Sequence, residues 1–390
     1  MNPLAPILAL ALISPANQPS RGADQSFLGI FAETSVMKMA GMPAMPEIPD
    51  MPELPDLSDL KLPDGVKLPG GLKLPGGGAP AGMMIPGKPQ RKLEVRLWSP
   101  GLAPADATAA LAVPGGLKLG KKLDLALYRP KPEESAGGGS ETPGGMAASF
   151  TIKRYWGSSP TVKPGQPEVI TFDGLTAEQK AAFREQARQP NAARSYFYKP
   201  DWTTGYWPAG KAPAGIAKGA ELEGHYVLAS TYTGNVEIDV PAKVNFLDPI
   251  EFSAPDLAEL PDLTAALGFR WKAVPNVLGY HMQVMGIQGK NTLIIWSSSE
   301  IKTAPGNTVD YMQMADVIKG VKETSMMAQD RVDVTVPADI FADCDMVFGT
   351  MVGFGPGAAL PEGQPLPRVQ TKSTVQLMLG GKLMKEGMKP

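Results

Sequence analysis

The sequence predicts a mainly β protein: two β-sandwich domains behind an extended arm rich in proline, glycine and methionine, with a small β unit after the arm. Three observations carry that prediction. From Leu93 onward, short segments alternate apolar with polar residues at the period of two that marks half-buried strands. Helical signals are confined to two short windows. A tripeptide repeat with proline at its centre runs from Met45 to Asp56, and proline at every third position excludes helix and central strand.

Composition narrows the class. The chain has 390 residues, enough for two or three domains. Charged residues are 19% of it, while 43 glycines and 40 prolines exceed a fifth and concentrate before residue 150. The net charge of −2 gives no electrostatic reason to expect a nucleic-acid partner. Cys344 is the single cysteine, so no internal disulfide forms, and its place before an apolar run suits a buried, inert thiol. Residues 1–23 are expected to be an export signal: Leu4–Ser14 is apolar, with small residues and Ala16 or Ala23 as cleavage points. The n-region lacks Lys and Arg, so an apolar tail is the alternative. With export, the chain works in the periplasm or outside the cell. No window has the length and apolarity of a membrane-crossing helix.

Residues 24–90 are expected to be the arm. Polyproline II has about three residues per turn, so a three-residue period sorts the repeat into three edges. Met45, Ile48, Met51, Leu54 and Leu57 form an apolar edge; Glu47, Asp50, Glu53, Asp56 and Asp59 form an acidic one; the prolines form the third. A six-residue K-L-P-x-G-x repeat follows, carrying Lys61, Lys67 and Lys73. The functional reading is a sided leash that binds a protein partner or a second copy through its apolar edge, and the alternative is a linker. Met37, Met39, Met42 and Met45 would suit Cu(I). Ile48 and Leu54 take the same place further on, however, so bulk rather than ligation is expected, with no metal and no cofactor.

Residues 91–130 are expected to form the small β unit. Leu93–Pro100 returns as Leu123–Pro130, each an alternating run ending in an aromatic and a proline, and the two copies are expected to pair. Residues 131–148 are a Gly/Ser/Glu linker. Residues 149–246 are expected to be a β-rich domain with strands at Phe150–Trp156, Glu168–Phe172, His225–Thr231 and Asn235–Val240, and a helix at Thr176–Gln189. Between them, Tyr196, Tyr198, Trp202, Tyr206 and Trp207 crowd into a segment with Gly205 and two prolines. It reads as an aromatic loop that stacks on a glycan, or as a buried plug.

In residues 247–381, Phe269-Arg270-Trp271, Val274-Pro275 and Gly279-Tyr280 resemble the B and C strands of fibronectin type III-like domains. The resemblance implies a sandwich in which Trp271 packs on a strand-C aromatic, with later strands at Leu293–Ser297, Val332–Val336, Met346–Val352 and Val369–Leu379. An insertion at 309–329 departs from the family; Tyr311, Met314, Val317, Ile318 and Val321 fall there at helical spacing. Residues 382–390 are a tail. More loosely, Tyr155-Trp156-Gly157, Trp296–Glu300 and Thr371–Thr374 resemble a set of uncharacterised exported proteins of Gram-negative bacteria, which implies the compartment alone.

Catalytic signatures do not emerge. His225 and His281 each alternate with apolar residues in an expected strand and read as packed, hydrogen-bonded residues. G-x-S-x-G, H-E-x-x-H, P-loop and Rossmann patterns are missing. Asp343 with Asp345, or Asp256, Glu259 and Asp262, could in principle serve a glycosidase. The expectation is a non-catalytic structural, adhesive or protein-binding protein, with a glycan-binding module second and an enzyme third.

Overall fold

Residues 26–41, 87–129, 150–171, 173–177, 202–209, 214–289, 291–303, 311–359 and 366–387 are described in the structure, a computed structural model. They are mainly β, arranged in three sheets. The long sheet begins with β5 (Ala126–Tyr128), β8 (Trp202–Trp207), β2 (Gln90–Pro100) and β1 (Phe27–Met39). It continues through β20 (Leu366–Gly380), β18 (Met346–Phe354), β14 (Gly279–Gln288), β15 (Thr292–Ser297), β6 (Thr151–Trp156) and β7 (Glu168–Thr171). Short strands β9 (Ala214–Ile216), β16 (Met327–Ala328) and β19 (Ala358–Ala359) pair with β2, β14 and β20. A second sheet holds β11 (Val236–Val240), β10 (Gly224–Ser230), β3 (Ala109–Ala112) and β4 (Lys122–Asp124). The third holds β12 (Phe252–Ala254), β13 (Leu267–Trp271) and β17 (Asp333–Val336).

Both small sheets face the same side of the long one. Leu28, Ile30 and Ala32 of β1 join Leu111, Tyr226 and Ile238 of the second sheet in one core. Val36, on the same face further along β1, joins Phe269, Trp271 and Val336 of the third sheet in the other. Side chains alternate across a strand, so one strand edge feeds both cores. Between the cores the inner face turns polar. Thr34 Oγ1 donates to the Leu247 carbonyl at 2.7 Å, Thr371 Oγ1 donates to the Pro356 carbonyl at 2.7 Å, and Ser373 is fully buried beside them.

The junction of the two halves is the parallel pairing of β1 with β20, in register from Phe27–Leu366 to Met39–Met378. This revises the expected segmentation, in which 24–90 was all arm: Phe27–Met39 is a central, buried strand. In the sequence the repeat therefore falls between two adjacent strands. β1 and β2 are antiparallel neighbours, Gly87 N donates to the Met37 carbonyl at 2.7 Å and Gly41 N to the Leu257 carbonyl at 3.1 Å. Segment 42–86 thus leaves and rejoins the sheet at one place. Its residues, Met45, Ile48, Met51, Leu54 and Leu57 included, lie outside the described residues, as do 1–25, 130–149 and most of the helix expected at Thr176–Gln189.

Two further expectations change. The repeated strands do not pair. The second copy splits at Leu125 into β4 and β5, which belong to different sheets, and β8 separates β5 from β2. That crossing lets Leu123, Leu125 and Leu127 all reach the same core. In the insertion, α1 (Met314–Lys322) packs Val317 and Val321 against Val352 and Phe354 on the outer face of the long sheet. A helix meets a flat sheet along a narrow stripe, and Met314 and Ile318 fall outside it, 41% and 56% exposed. A final short helix, α2 (Lys382–Gly387), follows β20.

Candidate functional site

The outer face of β8, β2, β1 and β20 gathers the densest set of aromatic and cationic side chains described. On β8, bounded by cis Pro208, alternation sends Trp202, Thr204 and Tyr206 outward and Thr203, Gly205 and Trp207 inward. Gly205 makes a close approach there: a Cβ would stand 3.0 Å from Leu127 Cδ2, which would have to give way. Trp207 packs, partly buried, against the core shared with the second sheet, the plug-like placement that was the alternative to a ligand platform. Trp202 and Tyr206 keep outward, half-buried positions. Tyr196 and Tyr198 lie outside the described residues.

Sequence reasoning missed the companions of these rings because they come from strands far away in the chain. Arg96, opposite Tyr206 in the β2–β8 register, holds its guanidinium 5.5 Å from the tyrosine ring centre and meets Glu94 at 3.2 Å. Phe27 lies 5.0 Å from Trp98, centre to centre, and Arg368 sits 4.8 Å over Phe27. Phe31 lies 4.8 Å from Tyr311, and Lys372 sits 4.2 Å over the Tyr311 ring with Glu33 at 3.9 Å. The Phe31 ring lies over Gly29, where a Cβ would stand 2.5 Å from it, which is why β1 tolerates a glycine. Phe27, Phe31 and Trp98 are buried and form a floor, while Trp202, Tyr206, Arg96 and Arg368 form a half-exposed rim. Such a rim offers apolar stacking surface and guanidinium donors side by side, chemistry suited to carboxylate-bearing ligands with CH-rich or planar faces.

The titratable groups that depart from their ordinary range do so mainly through burial. Cys344 is pushed up to about 12, by burial first and by Asp345 and Asp343 next, which keeps the thiol protonated as expected. Tyr232 is raised to about 12, also by burial. His225 is not packed as expected: it is exposed, with Nδ1 2.7 Å from Asp239 across the β10–β11 pair. His281 is buried beneath the turn that follows α1, and burial lowers it to about 4, although the Ser325 backbone opposes the shift. Its Nδ1 has no hydrogen-bond partner among the described residues. No group of three or more His, Cys, Asp or Glu is placed to hold a metal among the described residues.

His281 gives a pH prediction. The native ring stays neutral while the unfolded ring takes a proton near the ordinary histidine value of about 6.5. Its contribution is therefore full above pH ~6.5 and is lost as pH falls from there to about 4, in total on the order of 3 kcal/mol. Urea midpoints should fall across that window in the native chain and fall less in His281→Gln. Parallel slopes would place the acid sensitivity elsewhere.

Compared with known proteins, the chain matches no family model, no curated protein and no solved structure.

Proposed function

We propose that this chain is an exported, non-catalytic binding protein of the cell envelope or extracellular space, structural or adhesive in role. The observation that carries the reading is the long sheet itself, which runs unbroken past two cores and presents its aromatic and cationic rim on the face away from both small sheets. A continuous hydrogen-bonded sheet resists shear between the halves and displays an extended face, properties that serve attachment. Capture of a protein partner, or of a second copy, is assigned to the apolar edge Met45, Ile48, Met51, Leu54 and Leu57.

The fibronectin type III-like reading of residues 247–381 belongs to the same proposal. What supports it is strand order: β12-β13-β17 lies opposite β20-β18-β14-β15, the A-B-E and G-F-C-C′ arrangement that the resemblance implies. Trp271 meets Tyr280 edge-on at 5.5 Å, as a B-to-C aromatic contact should. On this reading the second sheet and β5-β8-β2-β1 form the other sandwich.

Replacing Ile48, Met51 and Leu54 with serine keeps the prolines and charges and removes the apolar edge. The variant should lose self-association in sedimentation, or partner capture from envelope extract, while its melting is unchanged. Retained binding would reduce the segment to a spacer. The glycan reading is favoured by one observation, the outward pair Trp202 and Tyr206 beside Arg96. Binding on a glycan array that Trp202→Ala abolishes and the serine variant keeps would select it.

A further inference from the structure

We propose that residues 311–326, which carry α1, form a flap that is closed over a neutral His281 on the outer face of the long sheet and is opened by acid.

The seam beneath the flap is a row of buried side chains. Ser35 is opposite Thr374, Thr374 is opposite Val352, and Val352 is opposite His281, so the four share one face of β1, β20, β18 and β14. None is more than 4% exposed. Ser35 Oγ, Thr374 Oγ1 and His281 Nδ1 have no hydrogen-bond partner among the described residues. The flap crosses this row. The Tyr311 ring meets Lys372 Nζ at 4.2 Å, two residues before Thr374 on the same face. Met312, Val317, Val321 and Met326 then gather on Val352 and Phe354, and the turn after α1 reaches His281, whose ring the Ser325 backbone holds at one nitrogen.

The closed flap is weakly held. Polar atoms buried without partners work against closure. In its favour stand that small apolar cluster, the bond from Glu300 N to the Thr324 carbonyl at 2.9 Å, and that from Gly357 N to Met314 Sδ at 2.9 Å. The turn stores strain: Thr324, a β-branched residue, takes φ +60°, and Ser325 N and Met326 N both turn back to the Gly320 carbonyl. Just beyond, β16 pairs with β14 and fixes a hinge at Met327. Helix α1 has nine residues, too few to persist in water once it leaves the sheet.

Acid acts at His281. A proton on Nδ1 would add a buried charge and a donor with no acceptor in reach. The charged groups on the surrounding elements are engaged elsewhere or face solvent. Glu300 holds Lys163 and Arg331, Glu323 pairs with Lys319, Glu33 pairs with Lys372, and Asp316 and Lys322 are exposed. Under the closed flap the ring titrates at about 4, whereas in water it does so at about 6.5. The open state therefore binds the proton more tightly, and opening grows as pH falls below ~6.5, by about 30-fold between pH 7.5 and pH 5. Opening bares Val352 and Phe354, so an apolar strip is hidden at neutral pH and presented in acid.

Amide exchange of the full chain tests this, with each rate referred to that of an unstructured peptide at the same pH. Protection of residues 317–326 should fall about 30-fold from pH 7.5 to pH 5, while β18 and β20 keep theirs. In His281→Gln, which cannot take the proton, the fall should vanish. Thr324→Gly relieves the turn and should raise protection at both pH values by a common factor, leaving the ratio between them unchanged. This second chain keeps the test open if His281→Gln does not fold. A native ratio near one, an equal fall in His281→Gln, a ratio near one in Thr324→Gly, or parallel loss in β18 and β20 would each overturn the flap.

Discussion

Replacing Trp271 with alanine should destabilise the chain by about 3–5 kcal/mol, the usual cost of truncating a large buried aromatic. Trp271 is 2% exposed and ends β13, where it touches Tyr280 edge-on at 5.5 Å and Phe252 at 6.4 Å. Tyr280 is itself tied in, its hydroxyl accepting the Val274 N–H at 2.9 Å, so the surroundings have little freedom to collapse into the space. The cost should therefore fall toward the upper end of the range. Trp271→Phe, which keeps a ring against Tyr280, should recover a large part of it. Equilibrium denaturation of the three chains decides the matter, and a midpoint insensitive to alanine would remove Trp271 from the core.

The second large effect belongs to β1. Ile30 is fully buried in the core shared with the second sheet, and Ile30→Ala should cost about 2–5 kcal/mol. Its distinctive outcome is spatial. β1 bonds β2 on one side and β20 on the other, and Val36 places the same strand in the second core. Loosening it should lower amide-exchange protection in β3 and β10 and, in parallel, in β13 and β17. Loss confined to β3 and β10 would show that the halves fold independently.

Strands β13 and β14 were legible because each is bounded by turn residues and alternates along its inward face. Phe269 and Trp271 point inward with Arg270 between them, and Tyr280, Met282 and Val284 repeat the pattern. Strand β1 was not legible. Leu28 and Ile30 are apolar on one face and Phe27 and Phe31 on the other, so no period of two appears, as for strands buried on both sides. Its parallel partner lies at the far end of the described chain, and the proline repeat beginning at Met45 drew it into the arm. Half of the aromatic site was readable. Trp202 and Tyr206 share parity and Trp207 does not, which separates rim from core once Trp202–Trp207 is taken as a strand between prolines 200 and 208. Arg96 and Arg368 carry no local mark; only the register of strands distant in sequence brings them beside Tyr206.

The adjacency of β1 and β20 also sets a timetable. Of the described strands β1 is the first to be synthesised and β20 the last, yet they are neighbours in the middle of the sheet. Until Leu366–Gly380 emerges, β1 has an unsatisfied edge and neither core is closed on that side. Such long-range closure is entropically late and kinetically slow. Until β20 is made, the edge of β1 that it will cover is a row of free backbone groups, the kind of edge prone to pairing with another chain. Closing that edge is therefore the last step of the fold, and β20 does it for both cores at once.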